Sequence, residues 1–236
     1  MVESALVTGG TKGLGRALSL GLARRGHAVL ALHRSDVAAA ADLEREAIAA
    51  GLSIETRQHD VTSGAPIPLP EGDPLVVIHN AAAAFAPTPL HLIGWDAFQA
   101  GLEVAVRGGF DVARAALPRM IRAKRGTFVL VSSSALLGSP PKGFAHYAAA
   151  KAALRSLGES IAVEYGPRGV RVLSVAPGFM DTELTRAWDP RVRDAMVASS
   201  GPVPDVADVA ARILDLTFDE SLPARGELHP IDLLTR

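Results

Sequence analysis

Short runs of β-forming residues alternate with helix-length segments along nearly the whole chain, and this alternation limits what it can fold into. The runs are Ala5–Thr8, Ala28–Leu32, Ser53–Arg57, Leu75–His79, Thr127–Ser132, Val170–Val175 and Glu227–Ile231. Between most of them lie segments of helical length: Leu14–Arg25, Val37–Ala50, Trp95–Ala123, Tyr147–Tyr165 and Asp205–Leu216. Gly51 and the Gly166-Pro167 pair are suitable stops for two of these helices. The strand runs lack apolar–polar alternation, which implies burial on both faces and hence a parallel sheet. The expected fold is α/β, a doubly wound Rossmann-type sheet of about seven parallel strands with helices on both faces. In that architecture ligands bind at the carboxyl ends of the strands. One connection breaks the rhythm. TSGAPIPLPEGDP, residues 62–74, carries Pro66, Pro68, Pro70 and Pro74 and cannot be a regular helix, so a tight surface crossover is expected there.

Composition narrows the function classes. The 236 residues are 48% apolar, and no Ser/Gly linker or charge block divides them, so one domain spanning 1–236 is expected. A net charge of −1 gives no electrostatic basis for a nucleic-acid or anionic-membrane partner. The absence of cysteine excludes disulfides and thiolate metal sites, and the histidines show no metal-ligand spacing, so no metal is expected. MVESALVTGG leads straight into a strand rather than a signal peptide. The most apolar stretch, LVVIHNAAAAFAPTPLHLI, contains His79, Asn80, Pro87 and Pro89 and is not a membrane span. A cytoplasmic protein is the expectation.

Two local patterns carry chemistry. TGGTKGLG follows the first strand and opens the first helix. Gly9, Gly13 and Gly15 allow a sharp turn and close approach of backbone to a phosphate, with Thr11, Lys12 and Leu14 between them. The helix amides and dipole can then receive a pyrophosphate. The spacing is G-x-x-x-G-x-G, so the commoner G-x-G-x-x-G motif does not apply as written. In HYAAAKAAL, Tyr147 and Lys151 are four residues apart and share one helix face. A cation beside a phenol favours the phenolate and is expected to lower the tyrosine pKa, suiting it to proton transfer.

TGGTKGLG, HNAA at 79–82, the serines before Tyr147, YAAAK and PGFMDT at 177–182 occur in the order found in the short-chain dehydrogenase/reductase family. The resemblance runs from about Ser4 to Asp232 and is closest to the ketoreductase branch, which includes 3-oxoacyl-carrier-protein reductases. It implies that Tyr147 protonates a ketone oxygen while a nicotinamide delivers hydride to carbon. Lys151 would lower the tyrosine pKa and hold the nicotinamide ribose, and a serine would hydrogen-bond the carbonyl. Counting forward from Gly126 selects Ser133 for that serine; counting back from Tyr147 selects Ser134; Ser132 ends the strand. The resemblance also assigns Asp60-Val61 to the adenine, Asn80 to the sheet beside the cofactor, and Pro177, Gly178 and Thr182 to the nicotinamide side. Lys12 and Arg34, with His33 where NAD-preferring relatives carry an aspartate, favour NADPH: two cations and no carboxylate.

Several positions depart from the family pattern. Ala105 stands where an asparagine usually supports a proton relay to the lysine, Ala82 replaces a glycine, and Leu173 replaces an asparagine on the sixth strand. The segment 181–204 is expected to form a short lid. Trp188, Met196 and Phe179 are candidates for one apolar wall, and Leu136, Leu137, Phe144 and Phe85 for the other. Arg186, Arg191 and Arg193 are either contacts for an acidic substrate arm or solvated charges. His146 either tunes the tyrosine or packs. Arg119, Arg122, Lys124 and Arg125 complement a helix dipole. The two long helices suggest a homodimer or homotetramer. Two functions compete: an NADPH-dependent reductase of a small-molecule ketone, with 3-oxoacyl thioesters and polyketide-like intermediates as candidates, and a non-catalytic NADPH-sensing module.

Overall fold

The computed structural model describes residues 3–71, 74–200, 202–222 and 225–231. Gly72 and Asp73 of the proline-rich crossover, Gly201 of the lid segment and Asp232 lie outside the described residues. The strands are β1 (Ser4–Thr8), β2 (Ala28–His33), β3 (Ile54–Gln58), β4 (Pro74–His79), β5 (Gly126–Val131), β6 (Val170–Ala176) and β7 (Arg225–Pro230). They form one parallel sheet of order β3-β2-β1-β4-β5-β6-β7. The order reverses direction between β1 and β4, the switch point where α/β sheets open a ligand crevice.

Side chains of β1 show why the sheet needs cover on both sides. Leu6 joins one core cluster, together with Val112, Ala116 and Met120 of α4 (Gly108–Ala123) and Leu154 and Ile161 of α5 (Ala145–Tyr165). Its neighbours Ala5 and Val7 enter the opposite cluster, against Leu14, Leu18 and Leu22 of α1 (Gly13–Arg24). Val209, Ile213 and Leu214 of α8 (Val206–Phe218) complete that second layer. A third, smaller cluster joins Leu20, Ala31 and Leu43, the last from α2 (Val37–Ala49). Alternate residues of one strand thus serve different layers, which is the physical content of a run without alternation.

The crossover between β3 and β4 contains no helix among its described residues. Ile67 and Leu69 pack into the α4 layer instead, and the Arg119 guanidinium donates to the Pro70 carbonyl at 3.1 Å. Two apolar side chains replace the face a crossover helix would bury.

The helix expected over 95–123 is interrupted. It consists of α3 (Trp95–Leu102), a π-helical turn at Glu103–Arg107, and α4. The inserted turn sits against the buried His79 ring, which packs on Gly108 and Gly109. A Cβ at either position would meet the imidazole at 3.3 Å. Single π turns of this kind occur where a side chain intrudes on the helical ladder, frequently at functional sites. After β6 the chain forms α6 (Glu183–Arg186) and α7 (Pro190–Ser200).

Candidate active site

A cavity of about 510 Å³ opens along the carboxyl ends of the central strands. Gly9, Lys12 and Arg34 border one end; Phe144, Trp188 and Met196 border the other. Ser133, Tyr147 and Lys151 line the space between.

The glycine-rich end is built from backbone. Gly9 (φ +61°) and Gly13 (φ +48°) occupy left-handed conformations that other residues rarely adopt. A Cβ on Gly15 would lie 1.9 Å from the Gly9 carbonyl oxygen, so only glycine fits. Helix α1 starts with Lys12 as N-cap, no side chain accepts from its first amides, and no acid occupies its first turn. Those open amides and the positive end of the dipole fit a phosphate. Leu14 anchors the same turn in the core, Thr11 is buried, and Thr182 stands over Gly13.

Beneath the turn lies a hydrogen-bonded hub. The Asn80 amide Nδ2 donates to the carbonyls of Thr8 and Gly9 at 3.2 and 3.1 Å. The backbone N–H groups of Asn80 and Ala81 both donate to Thr8 Oγ1 at 3.1 Å. With its lone pairs taken, the Thr8 hydroxyl donates its proton to His79 Nδ1, 3.0 Å away. His79 Nε2 therefore carries the ring proton and donates to the Ala105 carbonyl at 3.2 Å. Burial, reinforced by the Lys151 charge, pushes the His79 pKa down to about 4, so the ring is neutral. His79 is the residue that sequence reasoning missed. The available signal was a histidine ending an otherwise apolar strand, directly before Asn80.

Helix α5 brings Tyr147 and Lys151 to the cavity, and the end of β5 brings Ser133 and Ser134. Lys151 is 4% exposed, and its Nζ donates to the Val131 carbonyl at 2.6 Å. Burial alone pushes its pKa down to about 8. The ammonium lies 5.8 Å from the Tyr147 ring centroid. The expected acidification of the phenol is not found: burial pushes the Tyr147 pKa up, and only the Ser133 hydroxyl, hydrogen-bonded to it, pulls it partly back. Desolvation outweighs a cation that is turned toward a backbone carbonyl. Ser133 Oγ also accepts from the Ala135 amide at 3.2 Å. Ser134 lines the cavity near Gly178, and its amide donates to Pro177 O at 3.0 Å. Ser132 Oγ is buried without a partner. Behind Lys151, a cavity of about 20 Å³ reaches Gly101 and Ala105, large enough for one water.

The remaining sequence expectations divide. Arg34 is exposed at the cavity rim, and Pro177 and Gly178 line the cavity. The expectation of no carboxylate beside Lys12 is corrected: Asp36 Oδ2 lies 2.9 Å from Lys12 Nζ. Asp36 also caps α2 through the Ala39 amide; that bond and Lys12 hold its pKa below the usual carboxylate range. Asp60 and Val61 do not line the cavity. Asp60 accepts from the amide and hydroxyl of Thr62, and Val61 packs beside Gly108. Phe85, Phe144, Phe179, Trp188 and Met196 line the cavity as expected, whereas Leu136 and Leu137 do not. Arg186 and Arg193 are paired with acids of the same segment, Arg193 to Asp181 at 3.1 Å and Arg186 to Glu183 at 3.6 Å, and Arg191 is exposed. His146 is buried edge-on to Phe85, and burial lowers its pKa. Among the described residues no group of three metal-ligating side chains occurs, and no helix is long and apolar enough to cross a membrane.

Residues 3–193 match the family model for short chain dehydrogenases, and the chain belongs to the short-chain dehydrogenase/reductase family. A 3-oxoacyl-(acyl-carrier-protein) reductase of Mycobacterium bovis is 30% identical over 98% of this chain and 91% of its own length. An uncharacterized oxidoreductase of Myxococcus xanthus is 37% identical over 78% of this chain and 74% of its own. The solved structure of a 3-oxoacyl-(acyl-carrier protein) reductase from Brucella melitensis superposes with a TM-score of 0.83 at 26% identity, covering 97% of this chain and 89% of that one. The protein is an oxidoreductase of that family, whose members bind NAD or NADP.

Proposed function

We propose that this protein is a cytoplasmic, NADPH-dependent reductase of a small-molecule ketone, with Tyr147 as the proton donor. The observation that carries the reading is the convergence of Ser133, Tyr147 and Lys151 on the same cavity as the open N-terminus of α1. Nicotinamide chemistry supplies the hydride. Tyr147, whose phenol is protonated at neutral pH as any tyrosine's is and whose pKa burial raises further, is in the form that can give a proton to a ketone oxygen. Ser133, already bonded to the phenol, is the serine best placed to share that oxygen, and Ser134 is a neighbour on the wall. Lys151 fixes its ammonium on the Val131 carbonyl and is available to the ribose side. Gly9, Thr11, Lys12, Gly13, Leu14, Gly15, Asn80, Pro177, Gly178 and Thr182 form the cofactor bed.

Arg34 supports NADPH over NADH through its guanidinium at the rim. Lys12 contributes less than a free cation, because Asp36 already engages it. Asp60 and Val61 remain the adenine contacts of this reading, although they lie outside the lining of the main cavity. The cavity lining that continues past the glycine turn to Phe144, Trp188 and Met196 favours an enzyme over a sensor, which needs no such lining. A homodimer or homotetramer through α4 and α5 accompanies this reading.

The test is oxidation of NADPH by purified protein in the presence of ketones. Tyr147→Phe is expected to lower kcat by about 10²–10⁴-fold, the range for a lost general acid, with NADPH binding nearly unchanged. Undiminished turnover in that variant would refute the assignment.

A further inference from the structure

The substrate end of the cavity is a cage of rings. Phe85 stacks on Tyr147 with centroids 4.3 Å apart and planes at 13°. Phe144 meets Tyr147 edge-on at 5.8 Å and Phe85 at 5.3 Å. Trp188 closes the cage, with ring contacts to Phe85, Phe144 and Phe179 at 5.0, 5.5 and 6.0 Å. Met196 adds a polarisable thioether. The cage offers few polar groups of its own. The Trp188 indole N–H is spent on the Phe85 carbonyl at 2.7 Å. Of the three arginines that could have met an anionic arm, Arg186 and Arg193 pair with Asp181 and Glu183, Arg191 is exposed, and none of them lines the cavity.

Resting on the reductase reading above, we infer that the substrate is a compact, uncharged ketone bearing an aryl or alicyclic ring, rather than a thioester on a long anionic carrier arm. A flat or chair-shaped hydrocarbon meets ring faces and edges at the spacings these side chains already keep among themselves. A carboxylate or phosphate placed among these rings loses water, and none of the arginines of segment 181–204 lines the cavity to receive it. Bound NADPH would supply the hydride to the carbonyl carbon; Tyr147 would give its proton to the carbonyl oxygen and recover one from water, so that ketone, NADPH and a proton become secondary alcohol and NADP⁺.

The experiment compares kcat/KM for 4-methylcyclohexanone and acetophenone with that for 4-oxocyclohexanecarboxylate and acetoacetyl-coenzyme A. The neutral ring ketones are expected to lead by at least about 10-fold, the scale on which a pocket separates such differences. Phe144→Ala and Trp188→Ala are each expected to cost the ring ketones about 10-fold, mainly in KM, without changing the Kd of NADPH. Calorimetric titration of 4-methylcyclohexanol and 4-hydroxycyclohexanecarboxylate into the NADP⁺ complex reads the cage without turnover. Tighter binding of the neutral alcohol supports the cage even if no ketone is reduced, an outcome that would remove the reductase reading alone. Preference for the carboxylate or the coenzyme A ester, in turnover or in binding, would overturn the inference.

Discussion

The two ends of the cleft are held by different forces. Under the glycine turn, Thr8, His79, Asn80 and the Ala105 carbonyl exchange directional hydrogen bonds that leave each ring nitrogen of His79 one partner. At the other end, rings of Phe85, Phe144 and Trp188 meet through apolar contact, and surface ion pairs of segment 181–204 trim the edge. A directional network with backbone partners has one solution and punishes change. Apolar contact among rings adapts, and exposed ion pairs add little. The contrast predicts a gradient of sensitivity from the turn to the rim, and substitutions along it can break that prediction.

The largest effect is expected at Gly15. A methyl group there meets the Gly9 carbonyl oxygen at 1.9 Å and Asn80 Nδ2 at 2.6 Å, and neither backbone nor amide can yield without opening the hub. Gly15→Ala should cost about 3 kcal/mol of stability and abolish measurable NADPH binding. Thermal unfolding and fluorescence titration check this. A variant that still binds NADPH normally would show that the turn is softer than its bonding suggests.

His79 gives the next effect, and it depends on pH. An unfolded histidine takes its proton near 6.5, whereas the folded one resists until about 4. Between those values the unfolded chain binds more protons, so His79's contribution is complete above 6.5 and drains away as pH falls toward 4. The loss is about 3 kcal/mol at full extent. His27, His59 and His146 are also held low by burial, so the wild-type slope is a sum. The difference between wild type and His79→Gln isolates the one residue. The variant should be less stable at pH 7 and lose less stability between pH 6.5 and 4. Parallel acid limbs would remove His79 from its buried, neutral role.

These two regions also differ in how far the sequence discloses them. The strand runs, the turn glycines and the Tyr147/Lys151 spacing follow from local rules of period and conformation, and the sheet and family followed from them. The hub did not, because His79 acquires its role only when β1, β4 and the π turn meet, and no local pattern encodes that meeting. Ala105 looked like a lost side chain, yet its carbonyl is the group in use. The sign of the Tyr147 shift was likewise hidden. Spacing shows which groups are neighbours on a helix, but burial decides the balance, and burial is a property of the whole fold. Asp36 pairs with Lys12 for the same kind of reason: the end of β2 carries it across the turn.

Trp188 tests the adaptable end. Trp188→Phe keeps a ring in the cage but leaves the Phe85 carbonyl without its 2.7 Å donor. The expected cost is about 1–2 kcal/mol, the penalty for an abandoned acceptor, confined to the lid. Hydrogen exchange of amides in Glu183–Arg186 and Pro190–Ser200 should quicken while those of β1 and β4 keep their protection. Equal quickening in the sheet would mean that lid and hub are one cooperative unit, and the contrast between them would fail.

The smallest effect is expected at Asp181, where the ion pair to Arg193 is part-exposed and the one to Arg186 is longer, at 3.7 Å. Asp181→Asn should change stability by no more than about 0.5 kcal/mol, because solvent already screens both cations. Its consequence belongs to recognition instead. With Asp181 neutral, Arg193 is released at the lid edge while Glu183 retains Arg186. The variant should therefore gain activity toward 4-oxocyclohexanecarboxylate relative to 4-methylcyclohexanone, by a few-fold in kcat/KM, and the gain should shrink as salt is raised. A shift of that kind without a change in melting temperature would separate what the rim does for selectivity from what the hub does for the fold. If melting temperature moves and selectivity does not, the acid is structural and the rim is no part of recognition.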